Sequence, residues 1–210
     1  MSAAGPEGDD PAPQPRGDGR PADLIVIGCS AGGPPALIEI LPRVPRLTTT
    51  AVVVAQHMPK RFTSLFAERL ARLCARPVSE PKDGDRLLPG TICIAPGGQQ
   101  TTLDRLPPGI VFRVRPRAPS ERYAPSADLL MTSAAELFGP RALAILMTGM
   151  GGDGVIGLRA IKDRRGRTIA ESEETAAVFG MPREAIRAGL ADLVLPRPEI
   201  ALEMARLCRR

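Results

Sequence analysis

Three short runs in this chain are apolar at every position: Leu24-Ile25-Val26-Ile27, Ala51-Val52-Val53-Val54-Ala55, and Ala142-Leu143-Ala144-Ile145-Leu146-Met147. A strand with one face in water alternates apolar and polar side chains, whereas unbroken apolarity marks a strand covered on both faces. Each run leads through a polar or glycine-rich turn into a segment of helical character. The clearest places Phe62, Leu65, Phe66, Leu70 and Leu73 at helical spacing. Helices are also signalled near Pro34-Pro35, from Ser126 as N-cap to Gly139 as stop, through Ile156, Leu158 and Ile161, over 182–188 and from Pro198. Further strands fall at 168–170 and 192–195. This alternation predicts an α/β fold: a doubly wound, mostly parallel sheet with helices on both faces. Residues 76–117 read differently, with β-type runs at 91–95 and 110–114 between Pro/Gly turns, and predict a short antiparallel excursion.

A length of 210 residues suits one well-buried domain, expected over 22–210. Residues 1–21, rich in Pro, Gly, Ala and Asp, lack the apolar core of a signal peptide and are expected to be a disordered N-terminal segment. Although 43% of residues are hydrophobic, no run nears the ~18 needed to cross a bilayer, so no membrane insertion and a cytoplasmic location are expected. The net charge of +5 comes from dispersed arginines, aromatics are 3%, and no nucleic-acid motif is present. No nucleic-acid partner is expected, and the charge suits acidic protein surfaces instead. Cys29, Cys74, Cys93 and Cys208 are scattered without zinc-ligand spacing, which predicts reduced thiols and no metal.

In a parallel sheet, ligands gather at the carboxyl ends of strands. Three predicted strands end in reactive residues: the first at Ser30, the second at His57, the third in the turn holding Asp153. A hydroxyl, an imidazole and a carboxylate are the set required for acyl transfer through a covalent intermediate. Gly28-Cys29-Ser30-Ala31-Gly32 fits G-x-S-x-G, a tight strand-to-helix turn that exposes a serine and offers neighbouring backbone amides to an oxyanion. Small-residue turns of this kind also serve packing or phosphate binding. His57 is the only histidine, so any imidazole chemistry must use it. Asp153 equally suits the first turn of a helix. The order Ser, His, Asp differs from the Ser, acid, His order of α/β-hydrolases. A rival reading takes Gly149-Met150-Gly151-Gly152-Asp153-Gly154 as a dinucleotide fingerprint, with Glu171 or Glu173 following at the ribose-binding distance.

Six blocks resemble the catalytic domain of the chemotaxis-receptor methylesterases, the CheB family. They are Ile27 to Gly33, Ala55 to Pro59, Ile94 to Gly98, Pro125 to Leu130, Leu146 to Gly154 and Val178 to Ile186, in family order across nearly everything after Ala22. The resemblance implies hydrolysis of glutamyl methyl esters on methyl-accepting chemotaxis receptors with release of methanol, glutamine deamidation, and no cofactor. It implies Ser30 as nucleophile, His57 as general acid/base, Asp153 as its orienting partner, and the backbone at Ala31 and Met150 around the oxyanion and substrate. Ala31 stands where the family usually has a hydroxyl residue, and Gln99-Gln100 where many relatives have a histidine. The receiver domain that commonly precedes this domain is not seen before Ala22. A non-catalytic chemosensory binding module of the same fold is the alternative.

Overall fold

The computed structural model describes residues 21–45 and 49–208. Apart from Pro21, the segment expected to be disordered lies outside them. In chain order the strands are β1 (Leu24–Cys29), β2 (Ala51–Gln56), β3 (Val78–Ser79), β4 (Ile92–Ile94), β5 (Gln99–Leu106), β6 (Gly109–Pro116), β7 (Ala142–Leu146), β8 (Arg167–Glu171) and β9 (Leu193–Leu195). The helices are α1 (Gly33–Ile40), α2 (Lys60–Leu73), α3 (Ala127–Phe138), α4 (Val155–Asp163), α5 (Met181–Arg187) and α6 (Arg197–Leu207).

Seven strands form one sheet in the order β3-β4-β2-β1-β7-β8-β9, every pair parallel. Each strand of an unbroken apolar run has both faces covered. On β1, Ile25, Ile27 and Cys29 face a core shared with α1, α2 and α6, while Leu24 and Val26 face one shared with α3, α4 and α5. The chain therefore winds one way from β1 through β2 to β4 and β3, then returns to pair β7 on the other side of β1. The switch point, where crevices form in such sheets, lies between β1 and β7.

The antiparallel excursion is β5 paired with β6, which packs through Leu103 and Phe112 onto the α3 side of the sheet. Residues 91–95, expected to belong to it, instead hold β4, which pairs in parallel with β2 through Val52↔Ile92 and Val54↔Ile94. All three β4 side chains are buried, which identifies them as sheet interior. Among the described residues, no helix is long and apolar enough to cross a membrane.

Candidate active site

The β1 strand ends at Cys29, and the chain turns at once into α1. Here Gly32 adopts a left-handed φ of 80° and Pro34 follows in the first helical turn. The Ser30 amide donates to Thr148 O at 2.9 Å, so the serine turn is tied to the end of β7. A β-carbon at Gly149 would lie 2.7 Å from Ser30 Cβ, so only glycine lets the β7 loop approach the serine this closely. On the other side, the His57 amide donates to Cys29 O at 3.0 Å, extending the β1–β2 pairing by one residue.

Gln56, buried at the end of β2, joins the two loops. Its Nε2 donates to Ser30 O at 2.9 Å and to His57 O at 3.0 Å. Its Oε1 accepts from the Cys29 thiol at 3.1 Å. Burial, reinforced by the Glu171 charge, pushes that thiol far above its usual range, so it remains a donor. A β-carbon at Gly33 would sit 1.9 Å from Gln56 Oε1, which explains a glycine at the first position of α1. The sequence signal for Gln56 was an amide closing an otherwise apolar strand.

His57 Nε2 and Asp153 Oδ2 are 2.7 Å apart, with the imidazole 14% and the carboxylate 1% exposed. Asp153 sits in the loop between β7 and α4, against the N-terminus of α3. Oδ2 also accepts from the Ala127 amide at 2.7 Å. Oδ1 accepts from the Ser126 hydroxyl at 2.8 Å and the Asp128 amide at 3.1 Å. A helix start presents unpaired N–H groups and a positive dipole end, and Asp153 satisfies both. The arrangement is reciprocal, because Asp128 of α3 accepts from the Gly154 and Gly157 amides at the start of α4, each at 2.8 Å. Both helices are thus fixed by the other's aspartate.

Burial pushes the Asp153 carboxyl up, but the bonds from His57, Ala127, Asp128 and Ser126 outweigh it and hold the group below its ordinary value. Asp128 moves the other way, raised by burial and by the neighbouring Asp153 charge against the pull of the α4 amides. A carboxyl lowered by folding contributes stability above its ordinary pKa and loses it as pH falls through the lowered folded value. Urea midpoints measured below about pH 4 should therefore fall more steeply for the wild type than for Asp153→Asn, which has no proton to take up. Equal slopes would show that this carboxylate carries no such linkage.

An ionised Asp153 assigns the imidazole proton to Nε2 and leaves the Nδ1 lone pair available. The Ser30 hydroxyl makes no hydrogen bond among the described residues, so the imidazole–carboxylate contact is formed and the serine–imidazole contact is open. Such contacts often tighten only when substrate is bound. The Ala31 and Met150 amides likewise donate to nothing among the described residues, and Met150 is 73% exposed. Ala31 O accepts from the Thr148 hydroxyl at 2.8 Å, which holds the turn after Ser30 in place.

Tyr123 escaped the sequence reading, and Gln100 entered it only as a departure from the family. Tyr123 stacks on His57 with ring centroids 4.8 Å apart and planes 12° from parallel. Its hydroxyl lies 2.4 Å from where a Gly151 β-carbon would stand, so the ring spans from the imidazole to the β7 loop. Gln100, buried, donates from Nε2 to Tyr123 O at 2.7 Å and accepts the Ser126 amide at 3.0 Å, bracing the segment that carries Tyr123 and the α3 cap. One signal was available: Tyr123 is the only tyrosine in the chain.

The dinucleotide reading loses the first of its two candidate acids. Glu171 is fully buried and already engaged: Oε2 accepts the Thr148 amide at 2.8 Å, and Oε1 accepts the Thr175 hydroxyl at 2.9 Å and Arg197 Nε at 3.1 Å. Glu173 is exposed. Glu171→Ala would leave Arg197 and the Thr148 amide short of a partner, and urea unfolding should show a loss of about 3–5 kcal/mol. A loss under about 1 kcal/mol would mean the pair is not structural. No group of three His, Cys, Asp or Glu among the described residues could hold a metal ion, and all four cysteines are buried.

Fold and site together define a class: a doubly wound α/β protein with a serine elbow and an imidazole–carboxylate pair at its switch point. Comparison with known proteins narrows it. A family model described as CheB methylesterase matches residues 25–204. A protein-glutamate methylesterase/protein-glutamine glutaminase of Geobacter sulfurreducens is 44% identical over 197 residues, covering 94% of this chain and 52% of the relative. One from Anaeromyxobacter dehalogenans is 47% identical over 186 residues, covering 89% and 51%. The crystal structure of the Thermotoga maritima CheB methylesterase catalytic domain superposes with a TM-score of 0.85 at 36% identity, covering 89% of this chain and 98% of that one. The chain belongs to the CheB methylesterase family. It spans about half the length of the curated relatives it matches.

Proposed function

We propose that this chain is a cytoplasmic serine hydrolase that removes methyl groups from glutamyl methyl esters of methyl-accepting chemotaxis receptors, and that it also hydrolyses glutamine side-chain amides. The observation that carries the reading is the 2.7 Å bond between His57 Nε2 and Asp153 Oδ2, formed beside a serine turn tied to the same strand ends. The names of the relatives support glutamate methyl esters and glutamines of a protein as the substrate class.

In this reading His57 Nδ1 takes the Ser30 proton as Oγ attacks the ester carbonyl, and the Ala31 and Met150 amides receive the oxyanion. Asp153 keeps the imidazole oriented and stabilises its protonated form. The imidazolium then gives its proton to the departing methoxide, so methanol leaves and a glutamyl-serine ester remains. Water, deprotonated by the same nitrogen, attacks that ester and returns Ser30 with a free glutamate side chain. With a glutamine substrate the leaving group is ammonia.

Mixing the protein with receptor carrying labelled methyl groups should release labelled methanol in proportion to enzyme and time. A binding module of the same fold would retain the label on the receptor, and that outcome would remove the catalytic reading.

A further inference from the structure

The open cleft beside His57, of about 440 Å³, is lined in part by Gly98, Arg117, Arg122 and Tyr123, and carries no acidic side chain. The arginines of this region divide into two groups. Arg113 pairs with Asp104 and Arg115 pairs with Glu121. Arg117 and Arg122 both line the cleft, both are exposed, and neither pairs with a carboxylate among the described residues.

Both are nevertheless positioned. Arg117 Nη1 donates to Glu121 O at 2.9 Å. Glu121 is itself clamped by Arg115 and the Ala118 amide, which hold its carboxyl down to about 2, so this short loop keeps its shape and its one acid is spoken for. Arg122 lies with Cζ 5.2 Å from the centre of the Tyr123 ring, whose plane stacks on His57. The cation is therefore linked to the imidazole through the Tyr123 ring. Lys60, also exposed, borders Gly98 on the same rim.

From this we infer that Arg117 and Arg122 form a carboxylate-binding subsite, and that the protein selects an ester displayed on an acidic segment, with a free carboxylate about one helical turn from the reacting group. The inference rests on the esterase reading for the identity of the reacting group. Its physical basis is that both guanidinium groups line the cleft that His57 also lines, and that side chains three or four positions apart on a helix are neighbours, about 5–6 Å from one another. An ester placed at His57 would thus bring a neighbouring glutamate to the unpaired guanidinium groups. Arginine also suits the task because its planar fork meets a carboxylate with two donors.

The test uses two fluorescent helical peptides with one central glutamyl methyl ester, flanked at the positions three and four away by Glu in one and by Gln in the other. Binding is measured by anisotropy to Ser30→Ala protein, which should leave the ester intact. At low salt the Glu-flanked peptide should bind about tenfold more tightly, and about 0.5 M salt should erase most of the difference. In protein that also carries Arg117→Gln and Arg122→Gln the ratio should fall to about one, and with Arg117→Glu and Arg122→Glu it should invert. Circular dichroism checks that these surface variants fold. Equal affinities for the two peptides, or a preference that survives in the double Gln variant, would overturn the subsite. Failure of the esterase reading shows separately, as an absence of methanol release from either peptide by wild-type protein.

Discussion

Ser30→Ala should lower methyl-ester turnover by about 10⁴-fold or more while leaving the thermal unfolding midpoint almost unchanged. The large effect follows because nucleophile, base and orienting acid act as a unit, so removal of the hydroxyl ends the covalent route. The absence of a stability effect follows from what the serine holds. Its amide and carbonyl carry the structural bonds, to Thr148 O and from Gln56 Nε2 and the Gly33 amide, whereas the hydroxyl bonds to nothing among the described residues. Alanine keeps every backbone bond and strands no polar partner. Methanol release and a thermal melt on the same preparation check both halves. Undiminished turnover would remove Ser30 from the chemistry.

Asp153→Asn should reduce both turnover and stability, because the carboxylate serves two masters. Its oxygens receive four donors: His57 and Ala127 on one, Ser126 and Asp128 on the other. An amide offers one oxygen and one NH₂, so one pair of donors must meet a donor. The less costly orientation turns the NH₂ toward Ser126, whose hydroxyl can rotate and accept, and leaves the Asp128 amide unpaired. That unsatisfied group predicts a loss of about 1–3 kcal/mol in urea unfolding. Loss of the negative charge also removes what stabilises a protonated imidazole, and turnover should drop by about 10³–10⁴. Turnover within about twofold of wild type would show that His57 needs no carboxylate partner.

Much of the architecture was readable because burial leaves a strong mark on composition. The unbroken runs of β1, β2 and β7 could only be strands covered on both faces, and their ends placed Ser30, His57 and the Asp153 loop on one edge. The Ser126 cap was equally legible: its side chain accepts the Leu129 amide, as the local pattern predicted. What could not be read depends on contacts between distant segments. β5 is Gln-Gln-Thr-Thr-Leu-Asp-Arg-Leu, with no apolar run to announce it, and it is a strand because β6 pairs along its whole length. β4 has the composition of any short β-run, and its parallel partner is set by the sheet rather than by its own residues. The stack of Tyr123 on His57, the bridging of two loops by Gln56, and the exchange of caps between Asp128 and Asp153 each join residues from different elements. Only the folded chain brings those atoms within reach.

The reciprocal caps also bear on rigidity. The carboxylate that orients the imidazole is anchored by α3, and α3 in turn anchors the helix that follows that carboxylate. Neither can shift without uncapping the other. Catalytic geometry held by two helix ends costs little reorganisation when charge develops during reaction.

The most direct measurement is site-specific labelling by an organophosphonate ester, which phosphonylates a serine only where a base activates it. Mass mapping of the treated protein should find one adduct, on the peptide holding Ser30, and labelling should slow by at least about 100-fold in His57→Ala. An adduct on some other residue, or a Ser30 labelling rate indifferent to His57, would contradict the proposal that these strand ends build a working nucleophile.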